Sequence, residues 1–193
     1  MTVADKITDR RELILDTALH LFTDRGYFNT SIRDIQKEAT VSTGSIYHHF
    51  ATKEAIAKAL LAKIESTMVD EINLIMEATQ SAHERCKAVL KYLFEATEDN
   101  KNAIHFMLYA KHNEFISDEG PVCTSRPFTL MKEIIVEGIK NGEVRKLTPE
   151  IIGVNIFGSA IRLICLRVDG VIDEPLPMYL EEFWECVCHG INV

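Results

Sequence analysis

Thr43, Gly44, Ser45, Tyr47, His48, His49 and Lys53 crowd into eleven residues, and none of them is a carboxylate. Small and hydrogen-bonding side chains with no negative charge suit close approach to phosphate oxygens and base edges. Lys53 falls at a helix start, where its charge and the free backbone N–H groups serve the same phosphate chemistry. Two other readings stand beside this one: Tyr47 as a core aromatic with its hydroxyl at the surface, and His48-His49 as a solvated pair. Zinc is not expected there, because neighbouring helical residues point in different directions.

A second constellation is His105, Tyr109 and His112, spaced i, i+4 and i+7 along an expected helix from Ala103 to Phe115. A few polar groups in an apolar wall are what a small-molecule site needs. Phe94 and Trp184 are the further residues expected to line it. A partly exposed face with satisfied histidines remains the alternative. Cys123, with Arg126 nearby, invites a thiol-sensing idea. Cys186 and Cys188 point to different sides of a helix and make a poor disulfide pair. No nucleophile-elbow, phosphate-loop, metalloprotease or dinucleotide fingerprint occurs, so neither enzymatic activity nor a cofactor or metal is expected.

The elements that must hold these residues read as helical throughout, giving an all-α fold of nine helices with no sheet. The first opens at Asp9, with Glu12 three residues on, and stops at Gly26. Thr30 caps a short second helix, Ser31 to Ala39, and Ser42 caps a third, Thr43 to Phe50. Thr52 caps a long fourth running toward Ile75. Ile35, Ala39, Val41, Ile46 and Phe50 can turn inward together, which makes the second and third helices a helix-turn-helix braced by the first. Ser81 and Glu84 form a capping box for the next helix. Ser117 to Pro127 reads as a loop, Gly142 ends the helix after it, and Thr148-Pro149 starts another to Asp169. A last helix covers Met178 to Gly190. Ile151, Ile152, Ile156, Ala160, Leu163, Ile164 and Val168, then Met178, Leu180, Phe183, Trp184 and Val187, give the last two long helices broad apolar faces, the candidate dimer contacts.

The 193 residues carry 21 Lys plus Arg against 29 Asp plus Glu, a net charge of −8. Residues 1–53 are balanced, with seven basic and seven acidic side chains, so the acidity lies in the remainder. Five cysteines without a CxxC pair fit a reducing compartment. The start has no secretory pattern, and the apolar run Ile151 to Leu166 is shorter than the roughly 20 residues of a membrane span. The expectation is cytoplasmic, without a membrane partner.

Arg11, Ile14-Leu15, Ala18, Leu21-Phe22, Gly26-Tyr27, Thr30-Ser31, Asp34-Ile35, Ala39, Val41-Ser42, Gly44 to Tyr47, His49-Phe50 and Lys53-Glu54 together resemble the DNA-binding domain of TetR-family transcriptional regulators. The resemblance covers roughly residues 10–60. It implies a helix-turn-helix domain over 1–53, joined through the long fourth helix to a ligand-binding and dimerisation domain over 54–193. It implies a homodimer on double-stranded operator DNA, released by a small-molecule inducer that the sequence does not identify. Thr43 and Ser45 would face base edges or phosphates, Tyr47 and His49 phosphates, and Lys53 and Thr30 the flanking backbone. Gly44 lies within the same helix, and His48 would contribute to sequence choice. Two positions depart from the family pattern: Gln36 stands where Ala is usual, and Thr40 where Gly is usual. The competing reading is a helical carrier or adaptor that no longer binds DNA.

Overall fold

A computed structural model describes residues 3–116 and 120–191, with side chains except those of residues 3–9 and 113. Among the described residues the regular elements are all helical. They divide into two compact units, one formed by the chain to Ile64 with Asn102–Val122, the other by Glu65–Lys101 with Cys123 onward.

The first unit holds α1 (Val3–Arg25), α2 (Ile32–Glu38), α3 (Thr43–His49), the start of α4 (Lys53–Ala78) and most of α6 (Lys101–Tyr109). α1 begins earlier than expected. Nothing between Val3 and Asp9 breaks a helix, so the chain coils before the supposed cap, whose side chain lies outside the described ones. Ile14, Leu15, Ala18, Leu21 and Phe22 of α1 bury against Ile35, Ile46, Ile56 and Leu60, and Phe106 and Ile116 join the same core.

The cap of α2 is Ser31, not Thr30. The Ser31 hydroxyl accepts from the Asp34 N–H, and the Asp34 carboxylate accepts from the Ser31 N–H. Thr30 is 1% exposed, and its hydroxyl donates to the carbonyls of Leu21 and Gly26 at the end of α1. Burial of Thr30 therefore closes one helix while its neighbour opens the next. Ser42 caps α3, and Thr52 accepts from the Ala55 N–H at the head of α4. Between α2 and α3, Thr40 takes φ 55°, the one positive-φ residue other than glycine among those described. A β-branched side chain there costs about 1–2 kcal/mol.

The second unit is built around α5 (Ala82–Asp99), which packs on α7 (Arg126–Asn141), α9 (Ser159–Val168) and α10 (Leu180–Ile191). The capping box Ser81–Glu84 opens α5, and Gly142, at φ 76°, closes α7. α5 and α7 cross closely at Gly138, where a Cβ would sit 2.5 Å from that of Ala82. Pro127, expected in a loop, lies in the first turn of α7, where its missing N–H costs nothing. Residues 117–119 of that expected loop lie outside the described residues. Glu98 accepts from Arg167 at 2.7 Å and from the Leu176 N–H at 3.0 Å, tying the chain before α10 to α5. This pairing holds the Glu98 carboxyl below its usual range.

α8 (Pro149–Gly153) runs into α9 through a π turn, Val154–Gly158. The Ser159 hydroxyl donates to the carbonyls of Asn155 and Ile156, competing with the α-helical ladder at that point. The 20 residues Pro149–Val168 are long and apolar enough to cross a membrane by length and composition alone. Their recurring buried positions, Ile152, Ile156, Ala160 and Ile164, belong to the core of this unit. Outside that core they leave Ile151 61% and Val154 69% exposed. On α10, by contrast, Leu180 and Val187 turn inward and Phe183 meets Phe94 edge-on at 5.6 Å. The exposed side of α10 carries Glu181, Glu182, Glu185 and Cys186, so its apolar face is mostly core.

Candidate nucleic-acid interface

Helical geometry sorts α3 into three stripes, since successive residues advance about 100°. Ile46 is buried, and Phe50 follows it inward at the C-cap. Thr43, Gly44, Tyr47 and His48 form one exposed stripe, with Tyr47 54% exposed, and Ser45 and His49 edge it half-buried. Tyr47 is thus not a core aromatic. The exposed stripe carries only neutral or cationic chemistry.

Gly44 has no internal purpose that the fold explains. A Cβ there would meet only the Ser42 hydroxyl, at 3.9 Å. Glycine within a helix costs up to about 1 kcal/mol against alanine, and no close contact among the described residues requires it here. Thr43 donates to the Gln36 side-chain oxygen at 2.8 Å, which links α2 to the first turn of α3. Gln36, one of the two departures from the family pattern, thereby orients a residue on the exposed stripe.

At the other end of α3, the rings of His48 and His49 lie 5.0 Å apart, edge to face. Burial, then the neighbouring charges of His48, Arg11 and Arg10, hold His49 below the usual histidine range. The Arg11 guanidinium sits 5.3 Å from the centre of the Phe50 ring. Arg10 and Arg11 therefore bring positive charge from α1 to the end of α3. Sequence spacing gave no sign of this, because some forty residues separate them.

Two expected contacts are placed differently. Lys53 Nζ donates to the carbonyls of Tyr27 and Thr30, both at 2.8 Å, and lies 4.1 Å from the Tyr27 ring centre. Burial pulls this ammonium below the usual lysine range. Its side chain is a tie between α4 and the α1–α2 turn. Thr30 is buried, with its hydroxyl committed, so it presents no side chain to a flanking phosphate.

The expected ligand residues are not gathered in one place. α6 ends at Tyr109, earlier than expected, and His112 belongs to a separate 3-10 turn, His112–Glu114. The chain turns there because the buried His112 ring packs edge-on to Phe106 at 4.9 Å and tilts against Phe115 at 5.6 Å. His105 and Tyr109 stack at 4.8 Å and line a cavity of the first unit that His112 does not line. Phe94 and Trp184 belong to the second unit, where Phe94 is buried and Trp184 lies 6.2 Å from His83.

No disulfide joins the described cysteines, and burial pushes the Cys86 thiol up to about 12. Cys123 is exposed, but Arg126 pairs with Glu133 at 2.7 Å, so the nearby guanidinium is already neutralised.

Residues 14–60 match the family described as bacterial regulatory proteins, tetR family. The HTH-type transcriptional repressor KstR2 of Mycobacterium tuberculosis strain H37Rv is 34% identical over 96 residues, covering 50% of this chain and 48% of that protein. The match thus spans about half the length of that relative. Among solved structures, the fatty acid degradation regulator FadR from Bacillus halodurans superposes with a TM-score of 0.79 at 21% identity, over 94% of this chain and 95% of the other. FadR from Bacillus subtilis in complex with stearoyl-CoA gives 0.73 at 22% identity, over 94% and 99%. At these identities the structural likenesses establish the fold.

Proposed function

We propose, on the premise that this chain belongs to the TetR family of bacterial regulatory proteins, that it is a dimeric repressor whose hold on operator DNA is set by a small molecule. The observation that carries the reading is the exposed stripe of α3. Thr43, Gly44, Tyr47 and His48 face outward on a helix anchored by buried Ile46, with no carboxylate among them. Gly44, costly within and open without, suits close approach of a phosphate backbone. In the dimer two such helices would enter successive major grooves, with half-sites about 34–36 Å apart or a multiple of that.

The proposed domain division remains functional, with residues 1–53 reading DNA and 54–193 binding ligand and partner. α4 is the covalent path between the two tasks. A ligand releases DNA only to the extent that it binds one helix spacing better than the other. The exposed apolar positions Ile151 and Val154 support the Pro149–Val168 helix as the main dimer contact, with α10 beside it. A bacterial regulator of this kind would work in the cytoplasm. The carrier reading loses ground to the intact α3 stripe.

The test is selection of duplexes from a random pool by the full-length protein, then fluorescence anisotropy on the winner and on a scrambled duplex across a salt series. Enrichment of a near-palindrome, bound selectively and with strong salt dependence, is the expected result. Equal affinity for winner and scramble would overturn the reading.

A further inference from the structure

We infer that the first unit carries a binding site for a neutral, planar aromatic molecule, in the cleft between the α1–α2 turn and the chain around the end of α6. The inference rests on the ligand-responsive reading above, gives it a chemical class, and moves its site from residues 54–193 alone to a cleft that residues 22–28 share. The cleft encloses about 320 Å³, and its lining joins residues 22–28 to residues 105–115. Small-molecule sites begin at about 300 Å³, so one compact ring system fits.

The walls are largely ring surface. Tyr27 and Phe115 stack with centroids 3.9 Å apart and planes 16° from parallel. Phe28 stands edge-on to both, at 5.3 and 6.1 Å, yet is 65% exposed. α6 adds the parallel pair His105 and Tyr109, and Phe106 is buried behind. Aromatic faces and edges favour a further ring in offset or edge-on contact at about 4.5–7 Å. An aliphatic chain would gain the burial without the quadrupole contact. A cation is disfavoured, because the Tyr27 ring already carries Lys53 Nζ at 4.1 Å. Lys111 and Glu114 pair at the mouth, 3.1 Å apart, and their charges cancel.

The same turn holds the proposed DNA-reading elements. The Tyr27 carbonyl accepts from Lys53 at the head of α4, and the Gly26 carbonyl accepts from Thr30 just before α2. A ring seated in the cleft bears on both anchors without entering the helical second unit.

The probe is 2-naphthol, titrated into isotope-labelled full-length protein while backbone amide shifts are followed, with cyclohexanol and tetramethylammonium as aliphatic and cationic controls. Saturable shifts at Gly26, Phe28, Tyr109 and Phe115 are expected with 2-naphthol alone. Phe28→Ala and Tyr109→Ala, both at exposed positions, should each weaken binding about tenfold. Shifts centred on second-unit residues such as Phe94, equal response to cyclohexanol, or indifferent variants would overturn the site. Anisotropy on the selected duplex is the separate arm. Saturating 2-naphthol should change the DNA affinity of the wild type and not of Tyr109→Ala, and an unchanged wild type would overturn the regulatory role. Failure of the ligand-free protein to bind DNA selectively would instead overturn the repressor reading, while the shift map still decides the site.

Discussion

Lys53 Nζ donates to the Thr30 carbonyl at 2.8 Å, across twenty-three positions of sequence, and thereby fastens the first turn of α4 to the entry of α2. The second donation, to Tyr27, fastens the exit of α1 as well. A cation quoted for its charge is used for its geometry.

Lys53→Ala should consequently destabilise the protein by about 1–3 kcal/mol in urea unfolding, because two partly buried carbonyls lose their donor. Its DNA affinity should fall with the salt slope unchanged. A slope smaller by about one would mean that the ammonium neutralises a phosphate after all.

Thr40→Gly should stabilise by about 1 kcal/mol, since relief of the left-handed strain exceeds the added backbone freedom of the unfolded chain. Thermal unfolding measures it. A loss of stability would mean that the threonine side chain contributes something its φ of 55° conceals.

Gly44→Ala separates fold from function. Open space around the missing Cβ predicts a gain of up to about 1 kcal/mol in stability. The same methyl should weaken binding to the selected duplex by about tenfold or more, if a phosphate or sugar approaches there. Unchanged DNA affinity would place the contact surface elsewhere.

His49 predicts a pH dependence of opposite sign for folding and for binding. Its folded pKa lies below the ordinary value, so between the two the unfolded chain holds more proton and stability rises with pH. A bound phosphate favours the imidazolium and raises the pKa, so DNA binding takes up a proton and tightens as pH falls toward 6 and below. His49→Gln should flatten the anisotropy profile, and a profile equally steep without His49 would assign the proton to another group.

On the proposed dimer contact, Val154→Glu should shift the sedimentation profile from dimer toward monomer, because a carboxylate at this exposed position would be desolvated in the interface. A dimer indifferent to the charge would move the interface off this helix.

Much of this was legible in the sequence because it is local. Ser42, Thr52 and Ser81 cap the helices their spacing announces, and Gly142 ends the one it should. The outward stripe of α3 followed from the inward placing of Ile46 and Phe50. What escaped depends on meetings at long range. Thr30 looked like a cap until burial committed its hydroxyl to α1, and Lys53 looked like a phosphate ligand until two carbonyls claimed it. His112 shared a helical face with Tyr109 on paper, but packing against Phe106 and Phe115 turned the chain first. Arg10, Arg11 and Gln36 acquire their candidate roles only from what folding sets beside them.

The first unit's core is completed by Phe106 and Ile116, which enter from a segment some forty residues beyond the end of its leading stretch. Recombination between relatives is constrained accordingly. A crossover at residue 53 or 64 would join α1 to α3 to a foreign α6 and leave mismatched rings against Phe22 and Tyr27. The transferable module is a pair of separated segments, so, on the operator-binding reading proposed above, a change of specificity is more accessible by point substitution on α3 than by exchange of a prefix.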